Sequence, residues 1–251
     1  MVTATFRFYG ELNDFLPRSR RRRDFTIACA RAATAKHMIE AIGVPHTEVE
    51  LILVNGASRT FDQLLGEGDR VAVYPKFAAL DISDLQRVRA GPRAFRFVAD
   101  AHLGGLARLL RMAGFDTLYD NNYMDEEIEQ ISLTDQRIAL TRDRELLKRR
   151  GITHGCYVHA IRSEEQLREI VMRLDLAGSI APFTLCLKCN APLQRAARAD
   201  VLERLPARVR AHHSEFCTCG ICQGVFWKGS HWQRMCAVLA RATAPGSVNR
   251  S

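Results

Sequence analysis

The chain of 251 residues is 47% hydrophobic and 25% charged, a composition that excludes a disordered or fibrous protein. No apolar run approaches the roughly 20 residues that a membrane-spanning helix needs, and no signal-peptide pattern opens the sequence. We therefore expect a cytoplasmic protein without membrane association, whose eight cysteines are reduced and available to bind metal.

The first 80 residues have the pattern of a small α+β domain. Thr34 and Gly43 are suitable caps for a helix over residues 35–42, and Asn55-Gly56 is a turn signal. Apolar runs and alternations predict four strands, over residues 5–9, 25–29, 49–54 and 69–75. The predicted order of elements is β-β-α-β-β.

That order resembles a ubiquitin-like β-grasp domain of the sulfur-carrier type. The sequence is most similar at residues 53–56 and 68–75. Carriers of this type act through a free C-terminal Gly-Gly, whereas this chain continues into Lys76 and Phe77. The resemblance therefore implies a docking or scaffolding domain over residues 1–80, with a protein as its partner. A sulfur-transfer accessory role is the weaker alternative.

Two short apolar runs in the middle of the chain end in an aspartate, Asp100 and Asp143, and a helical pattern follows each. Gly91-Pro92 marks the preceding linker, predicted over residues 81–94. Units of this β-α-β kind build parallel sheets, in which the carboxyl ends of strands meet at one crevice. Asp125 begins a helical stretch and can face the same crevice. Three carboxylates there require a cation, which favours Mg²⁺ or Mn²⁺. For each aspartate alone, a helix N-cap is the competing interpretation.

The segments around these aspartates resemble the Mut7-C ribonuclease family, a branch of the PIN-like nucleases. The matching stretches are residues 97–100, 103–108, 110–117, 125–127 and 140–147. The resemblance covers about residues 95 to 236 and implies an α/β fold with a PIN-like parallel-sheet nuclease domain over residues 95–178. It also implies metal-dependent RNA hydrolysis at Asp100, Asp125 and Asp143. Further acidic candidates are Glu126 through a water molecule and Asp116, Asp120 and Glu145 as a fourth carboxylate.

Two C-x₂-C pairs lie in the C-terminal segment, Cys186 with Cys189 and Cys219 with Cys222. Two such pairs are typical of Zn²⁺ bound tetrahedrally by four thiolates. The stretch between the pairs is longer than the usual ribbon spacing, and Cys217 is an alternative ligand. We favour Cys219 over Cys217, because a C-x₂-C hairpin presents both sulfurs on one side. The resemblance to the Mut7-C family implies the same choice. The sequence predicts a small structural zinc ribbon over residues 179–240 and a flexible tail over 241–251.

Positive charge is concentrated in the same C-terminal segment. Residues 179–251 contain ten Lys or Arg and three Asp or Glu, a net charge of +7, whereas residues 81–178 have a net charge of −1. A basic module beside an acidic, metal-ready site fits a polyanionic substrate such as RNA. The residues predicted to hold phosphates or stack bases are Arg108, Arg111, Arg142, Arg144, Trp227, His231 and Trp232. The competing interpretations are ion-paired surface for the arginines and core filling for the tryptophans.

These features together predict a metal-dependent ribonuclease with three parts: β-grasp domain, PIN-like α/β domain and zinc ribbon. Its partner is RNA, for example tRNA or another structured RNA. The alternative is a non-catalytic RNA- or ribosome-binding protein whose nuclease site is degenerate. The presence of an aspartate at both strand ends favours the nuclease.

Overall fold

A computed structural model describes residues 1–76, 86–88 and 91–244. Half of the predicted linker over 81–94 and residues 245–251 of the predicted tail lie outside the described residues. The chain forms two compact units, one of Met1–Ala94 with Met124–Tyr157 and one of Phe95–Tyr123 with Val158–Ser251. These units do not follow the predicted domain boundaries, which remain a prediction. None of the helices formed by the described residues has the length and apolar character needed to span a bilayer.

The secondary structure mixes short strands with helices of four to fourteen residues. The strands are β1 (Val2–Phe8), β2 (Phe25–Cys29), β3 (Val49–Val54), β4 (Ala57–Arg59), β5 (Asp69–Pro75), β6 (Phe97–Ala99), β7 (Thr117–Tyr119), β8 (Ile138–Thr141), β9 (Gly155–Tyr157), β10 (Leu193–Ala196), β11 (Phe216–Cys219) and β12 (Val225–Trp227). The α-helices are α1 (Ala35–Ile42), α2 (Gly104–Met112), α3 (Asp125–Asp135), α4 (Arg144–Lys148), α5 (Ser163–Arg173), α6 (Arg198–Val201), α7 (Ala207–His212) and α8 (Ser230–Thr243).

The first five strands form one sheet in the order β2-β1-β5-β3-β4. The central pair β1 and β5 is parallel, with Phe6 opposite Val71, and the other pairs are antiparallel. Alternation along β1 buries Phe6 and Phe8 against Ile39 of α1 and Ile52 of β3. The predicted strands and their hairpin partner are confirmed, and β4 is an additional short strand after the Asn55-Gly56 turn.

Helix α1 begins and ends where its capping residues predict. The Thr34 side chain accepts a hydrogen bond from the backbone N–H of His37 at 3.2 Å, which satisfies one of the free donors of the first turn. Gly43 follows with φ +116°, the left-handed conformation that glycine adopts most readily. The buried face consists of Ala35, Met38, Ile39 and Ile42. Local sequence therefore sets both ends of this helix.

The second part of the first unit contains α3, β8, α4 and β9. Strands β8 and β9 are parallel, with Ala139 opposite Gly155. The predicted helix from Asp125 is confirmed and continues to Asp135, where Gln136 takes a left-handed conformation with φ +53°. All four residues of β8 are buried, as expected for a strand covered on both faces.

Buried polar residues join the two parts of this first unit. The Tyr157 backbone N–H donates to the Glu48 carboxylate at 2.6 Å, and the His46 imidazole contacts the Ile152 carbonyl oxygen at 3.0 Å. His46 and Glu48 are only 5% and 4% exposed. The N-terminal sheet region is thus held against β9 and the residues before it by hydrogen bonds of buried side chains.

In the second unit, β6 and β7 are parallel, with Val98 opposite Leu118, and α2 connects them. Helix α5 packs against both α2 and α8. A β-carbon at Gly105 would lie 2.1 Å from the Ser163 hydroxyl, so glycine is required where α2 meets the start of α5. The last three strands form a separate antiparallel sheet in the order β10-β11-β12.

Candidate functional site

Four cysteine thiols of the second unit converge at one point. The sulfur atoms of Cys186, Cys189, Cys219 and Cys222 all lie within 4.8 Å of one another. The Cys186 sulfur is 3.6 Å from that of Cys222 and 3.8 Å from that of Cys189. Cys217 is not part of this group. Four thiols at this spacing can hold a metal ion, and soft sulfur ligands favour zinc among the common divalent ions.

The two cysteine pairs are built alike, although they are far apart in sequence. In each, the fourth residue after the first cysteine donates its N–H to that cysteine's carbonyl oxygen at 2.9 Å: Asn190 to Cys186 and Gln223 to Cys219. Both donors are left-handed, with φ +65° for Asn190 and φ +58° for Gln223. This repeated turn directs two thiols from each pair to the same side, which the C-x₂-C spacing predicts.

The thiols differ in how readily they ionise. A hydrogen bond from the Gly224 backbone N–H lowers the pKa of Cys222 to about 7. The hydrogen bond shared with Cys222, followed by burial, raises the pKa of Cys189 to about 12. Burial also raises the pKa of Cys186. Because metal binding requires thiolates, it must displace protons from Cys186 and Cys189.

A buried arginine fastens the first cysteine pair to the strand β7. Arg111 is 6% exposed, and its guanidinium donates to the carbonyl oxygens of Thr117 at 2.8 Å and Lys188 at 2.8 Å. Burial lowers the pKa of Arg111. The described donors of Arg111 are directed at backbone carbonyls, which gives the residue a structural role, and its substrate-binding role stays a prediction.

Asn190 also connects the first cysteine turn to β7, a role that the sequence analysis did not predict. Its side-chain oxygen accepts from the Thr117 backbone N–H at 2.9 Å, and its side-chain nitrogen donates to Asp116. Asp116, one of the candidates for a fourth carboxylate, is thus bound to the cysteine turn. The available signal was an asparagine directly after a C-x₂-C pair, a position that favours a left-handed residue.

The three predicted catalytic carboxylates lie at the ends of elements. Asp100 follows β6 in the second unit and precedes a 3-10 helix, which its side chain does not cap. Asp125 is the first residue of α3, and Asp143 follows β8, both in the first unit. The Asp143 carboxylate accepts a hydrogen bond from the Glu145 N–H at 2.7 Å, so it caps α4 as the competing interpretation expects. Convergence of the three on one metal ion stays a prediction.

The other acidic candidates near these positions have partners of their own. Glu126 forms an ion pair with Arg149 at 2.9 Å, and Glu145 pairs with Lys148 at 2.7 Å. Asp120 accepts from the Asn122 backbone N–H at 2.9 Å. These contacts give each carboxylate a structural explanation that needs no metal.

Arg144 is directed into the N-terminal sheet region. Its guanidinium donates to the Phe15 carbonyl at 3.2 Å and lies 5.0 Å from the Phe15 ring centroid and 5.8 Å from that of Tyr157. These donors hold the N-terminal region beside the turn of Asp143, and the role of Arg144 as a phosphate ligand stays a prediction. Arg108 and Arg142 are exposed, and their role as phosphate ligands stays a prediction.

An apolar cavity of ≈ 230 Å³ opens beside the cysteine cluster. The Trp232 ring packs edge-on against Phe183, with centroids 5.0 Å apart. Trp227 also packs against the small core of Val201, Leu205 and Phe216, as the core-filling interpretation expects. Residues of α2, the first cysteine turn, β12 and α8 line the cavity: Met112, Leu187, Val225, Trp227, Trp232 and Met235 among others. His231 lies at its edge and is exposed.

Two family models match the chain. The model described as the Mut7-C RNAse domain matches residues 95–239, and the model described as Mut7-C ubiquitin matches residues 1–81. Together they reproduce the predicted arrangement of an N-terminal ubiquitin-like domain followed by the Mut7-C domain. The mixed α/β architecture, with parallel pairs β6–β7 and β8–β9, agrees with that assignment.

Several solved structures resemble the N-terminal part of the chain. Small archaeal modifier protein 1 of H. volcanii is 14% identical, covers 30% of this chain and 98% of its own, and gives a TM-score of 0.25. A putative molybdopterin converting factor, subunit 1, from Pyrococcus furiosus is 20% identical with the same coverage and TM-score. No curated protein matches this chain significantly.

Proposed function

The chain belongs to the Mut7-C RNAse domain family, and on that premise we propose that it is a metal-dependent ribonuclease that hydrolyses RNA phosphodiester bonds. The single observation that carries this proposal is the family match over residues 95–239. The match includes Asp100, Asp125 and Asp143, each at the end or start of a regular element. We further propose a PIN-like nuclease domain over residues 95–178 and a zinc ribbon over 179–240, in a cytoplasmic protein.

The proposed catalytic ligands fit a hard divalent cation in their chemistry. All three are carboxylates, the donor type that Mg²⁺ and Mn²⁺ prefer. A carboxylate has about four lone-pair sites, so Asp143 can cap α4 through one oxygen and still bind metal through the other. When bound, such a cation lowers the pKa of a bound water and stabilises charge on the scissile phosphate. The chain supplies the three carboxylates, each from a residue at the start or end of a regular element.

The four thiols fit a structural zinc ion. Four sulfur donors complete a tetrahedral site and leave no open position for substrate. The antiparallel sheet β10-β11-β12 and the two matching turns support a zinc ribbon. We assign its role as holding the C-terminal segment together, with the catalytic cation bound elsewhere.

The basic C-terminal segment is proposed to hold RNA. Its net charge of +7 contrasts with −1 for residues 81–178. Phosphate contacts release counterions, so RNA binding through this segment weakens steeply with salt. A structured RNA such as tRNA offers both phosphates and unpaired loops for such a surface.

The test is cleavage of total RNA by the purified protein, with and without added Mn²⁺, followed by mapping of the fragment ends. We expect new ends that appear only with the cation and accumulate with time. Binding of RNA without any cation-dependent ends would instead favour a non-catalytic RNA-binding protein.

A further inference from the structure

We propose that the apolar cavity beside the four thiols binds one unpaired base of an RNA strand, with its neighbouring phosphates held by Arg108 and Arg234. This inference rests on the proposed function, since it takes RNA as the substrate. It adds a specific site and a preference for unpaired nucleotides, which the charge of the segment alone does not imply.

The lining of the cavity suits the faces of a base. Phe183 and Trp232 present aromatic rings at an angle of 67°, and Trp227 adds a third ring. A β-carbon at Gly229 would lie 2.7 Å from the Trp227 indole nitrogen, so the missing side chain lets backbone and ring approach closely. Bases stack on such rings with little sequence preference, because every base has a π face.

The edge of the cavity is polar where the floor is apolar. Ser230 and His231, the first residues of α8, both line it and are exposed. A hydroxyl and an imidazole offer donors and acceptors for the edges of a base. The cavity therefore combines apolar walls with a few polar groups, the usual composition of a small-molecule site.

Positive charge adjoins the cavity on one side. A second cleft shares Met112, Leu187, His231 and Met235 with the cavity and is also lined by Arg108 and Arg234. Both arginines are exposed, and no described residue lining either cleft is acidic. An apolar peptide would need no cations here, whereas the phosphates that flank a bound base do. Charge thus favours an RNA strand over a protein segment.

The strand must be unpaired at this point. In a duplex the faces of each base are covered by its stacked neighbours, and a cavity of ≈ 230 Å³ admits a group of the size of a base but not a helix. The proposed site would therefore select loops, bulges or ends of a folded RNA.

Intrinsic fluorescence tests the site in the full-length protein, because both tryptophans of the chain line the cavity. The probes are a six-nucleotide unpaired oligoribonucleotide and the same oligonucleotide without bases, titrated without added divalent ion so that no strand is cut. We expect fluorescence quenching by the first probe and roughly tenfold weaker binding of the abasic one, the size of effect that one stacked base produces.

Matched variants locate the effect. Met235→Phe fills the cavity and should remove the difference between the probes, whereas Gln233→Phe adds the same ring at an exposed position of α8 and should preserve it. Arg204→Glu, on the exposed surface away from both clefts, should weaken both probes equally.

Equal affinity of the two probes for the wild-type protein would overturn the inference. Quenching by an uncharged apolar peptide but not by bases would overturn it as well and make the cavity a protein-docking groove. These failures are separable from failure of the proposed function. Base-independent binding with intact RNA cleavage contradicts only the cavity, and base-dependent binding without cleavage contradicts only the nuclease.

Discussion

The ubiquitin-like domain and the four-cysteine segment obtain their stability in different ways. The described residues of the former bury a continuous core of nineteen residues that includes Phe6, Ile39 and Ile52. In the latter, the small core below the sheet consists of Val201, Leu205 and Phe216. Apolar burial stabilises a domain in proportion to area, so the first can fold by packing alone. We propose that the second depends on a metal ion bound by its four thiols, as small domains with little apolar core commonly do.

Removal of one thiol ligand should have the largest effect on stability. Cys189→Ser should release the metal and unfold the cysteine segment, because a structural zinc ion contributes on the order of 10 kcal/mol to such folds. Zinc content and the near-ultraviolet signal of Trp227 and Trp232 measure the outcome. Cys217→Ser is the matched control, and we expect it to retain zinc. Zinc retention in Cys219→Ser with zinc loss in Cys217→Ser would reverse the choice of Cys219 over Cys217 as ligand.

Truncation of a core side chain should destabilise the ubiquitin-like domain without affecting the four-cysteine segment. Ile39 is fully buried in α1, and Ile39→Ala should lower the free energy of unfolding of the ubiquitin-like domain by about 2–5 kcal/mol. Zinc content should not change. Leu133→Ala removes a comparable side chain at a position that is 55% exposed and should change stability by less than about 0.5 kcal/mol. Urea unfolding followed by circular dichroism measures both variants.

Arg144 tests how firmly the ubiquitin-like domain holds the turn of Asp143. Arg144→Ala removes hydrogen bonds to the Phe15 and Asp14 carbonyls and the contact with two rings, at a cost of about 1–3 kcal/mol. Arg142→Ala, at the exposed position two residues earlier, should leave stability unchanged. Hydrogen exchange of the Tyr157 amide, which donates to Glu48, should quicken in the first variant only. An unchanged exchange rate of the Tyr157 amide in Arg144→Ala would mean that Arg144 does not hold the two regions together.

The smallest expected effect depends on pH. Hydrogen bonds from Arg149 and then from the Gly151 backbone N–H hold the pKa of Glu129 below its ordinary value of 4.5. A depressed carboxyl pKa contributes stability that is present above pH 4.5 and is lost as the pH falls through the folded value. Glu129→Gln should therefore destabilise the protein at pH 7 and approach the wild type as the pH falls below 4.5 and through the folded pKa. Exposed Glu165→Gln should show no such trend. A constant difference across this range would contradict the assignment.

Local sequence predicted the elements whose ends are set by neighbouring residues. Helix α1 follows from Thr34 and Gly43, and the two cysteine turns follow from their spacing. The hydrogen-bond partners of Arg111 and Arg144 could not be predicted, because the carbonyls they bind are up to 77 and 130 residues away in the sequence. An arginine next to an aspartate in the sequence looks the same whether its guanidinium binds a phosphate or a backbone carbonyl. The local sequence therefore could not distinguish the two roles.

The central claim is that the carboxylate of Asp143 is a metal ligand, and the most direct measurement is Mn²⁺-dependent RNA cleavage by Asp143→Asn. Asparagine caps a helix as well as aspartate does, so the hydrogen bond to Glu145 and the fold should be retained while the charge is lost. Glu165→Gln, at an exposed carboxylate that is not among the candidate metal ligands, is the matched control. We predict that cleavage is abolished in Asp143→Asn and retained in Glu165→Gln. Full Mn²⁺-dependent cleavage by folded Asp143→Asn would contradict the claim and leave the residue as a helix cap.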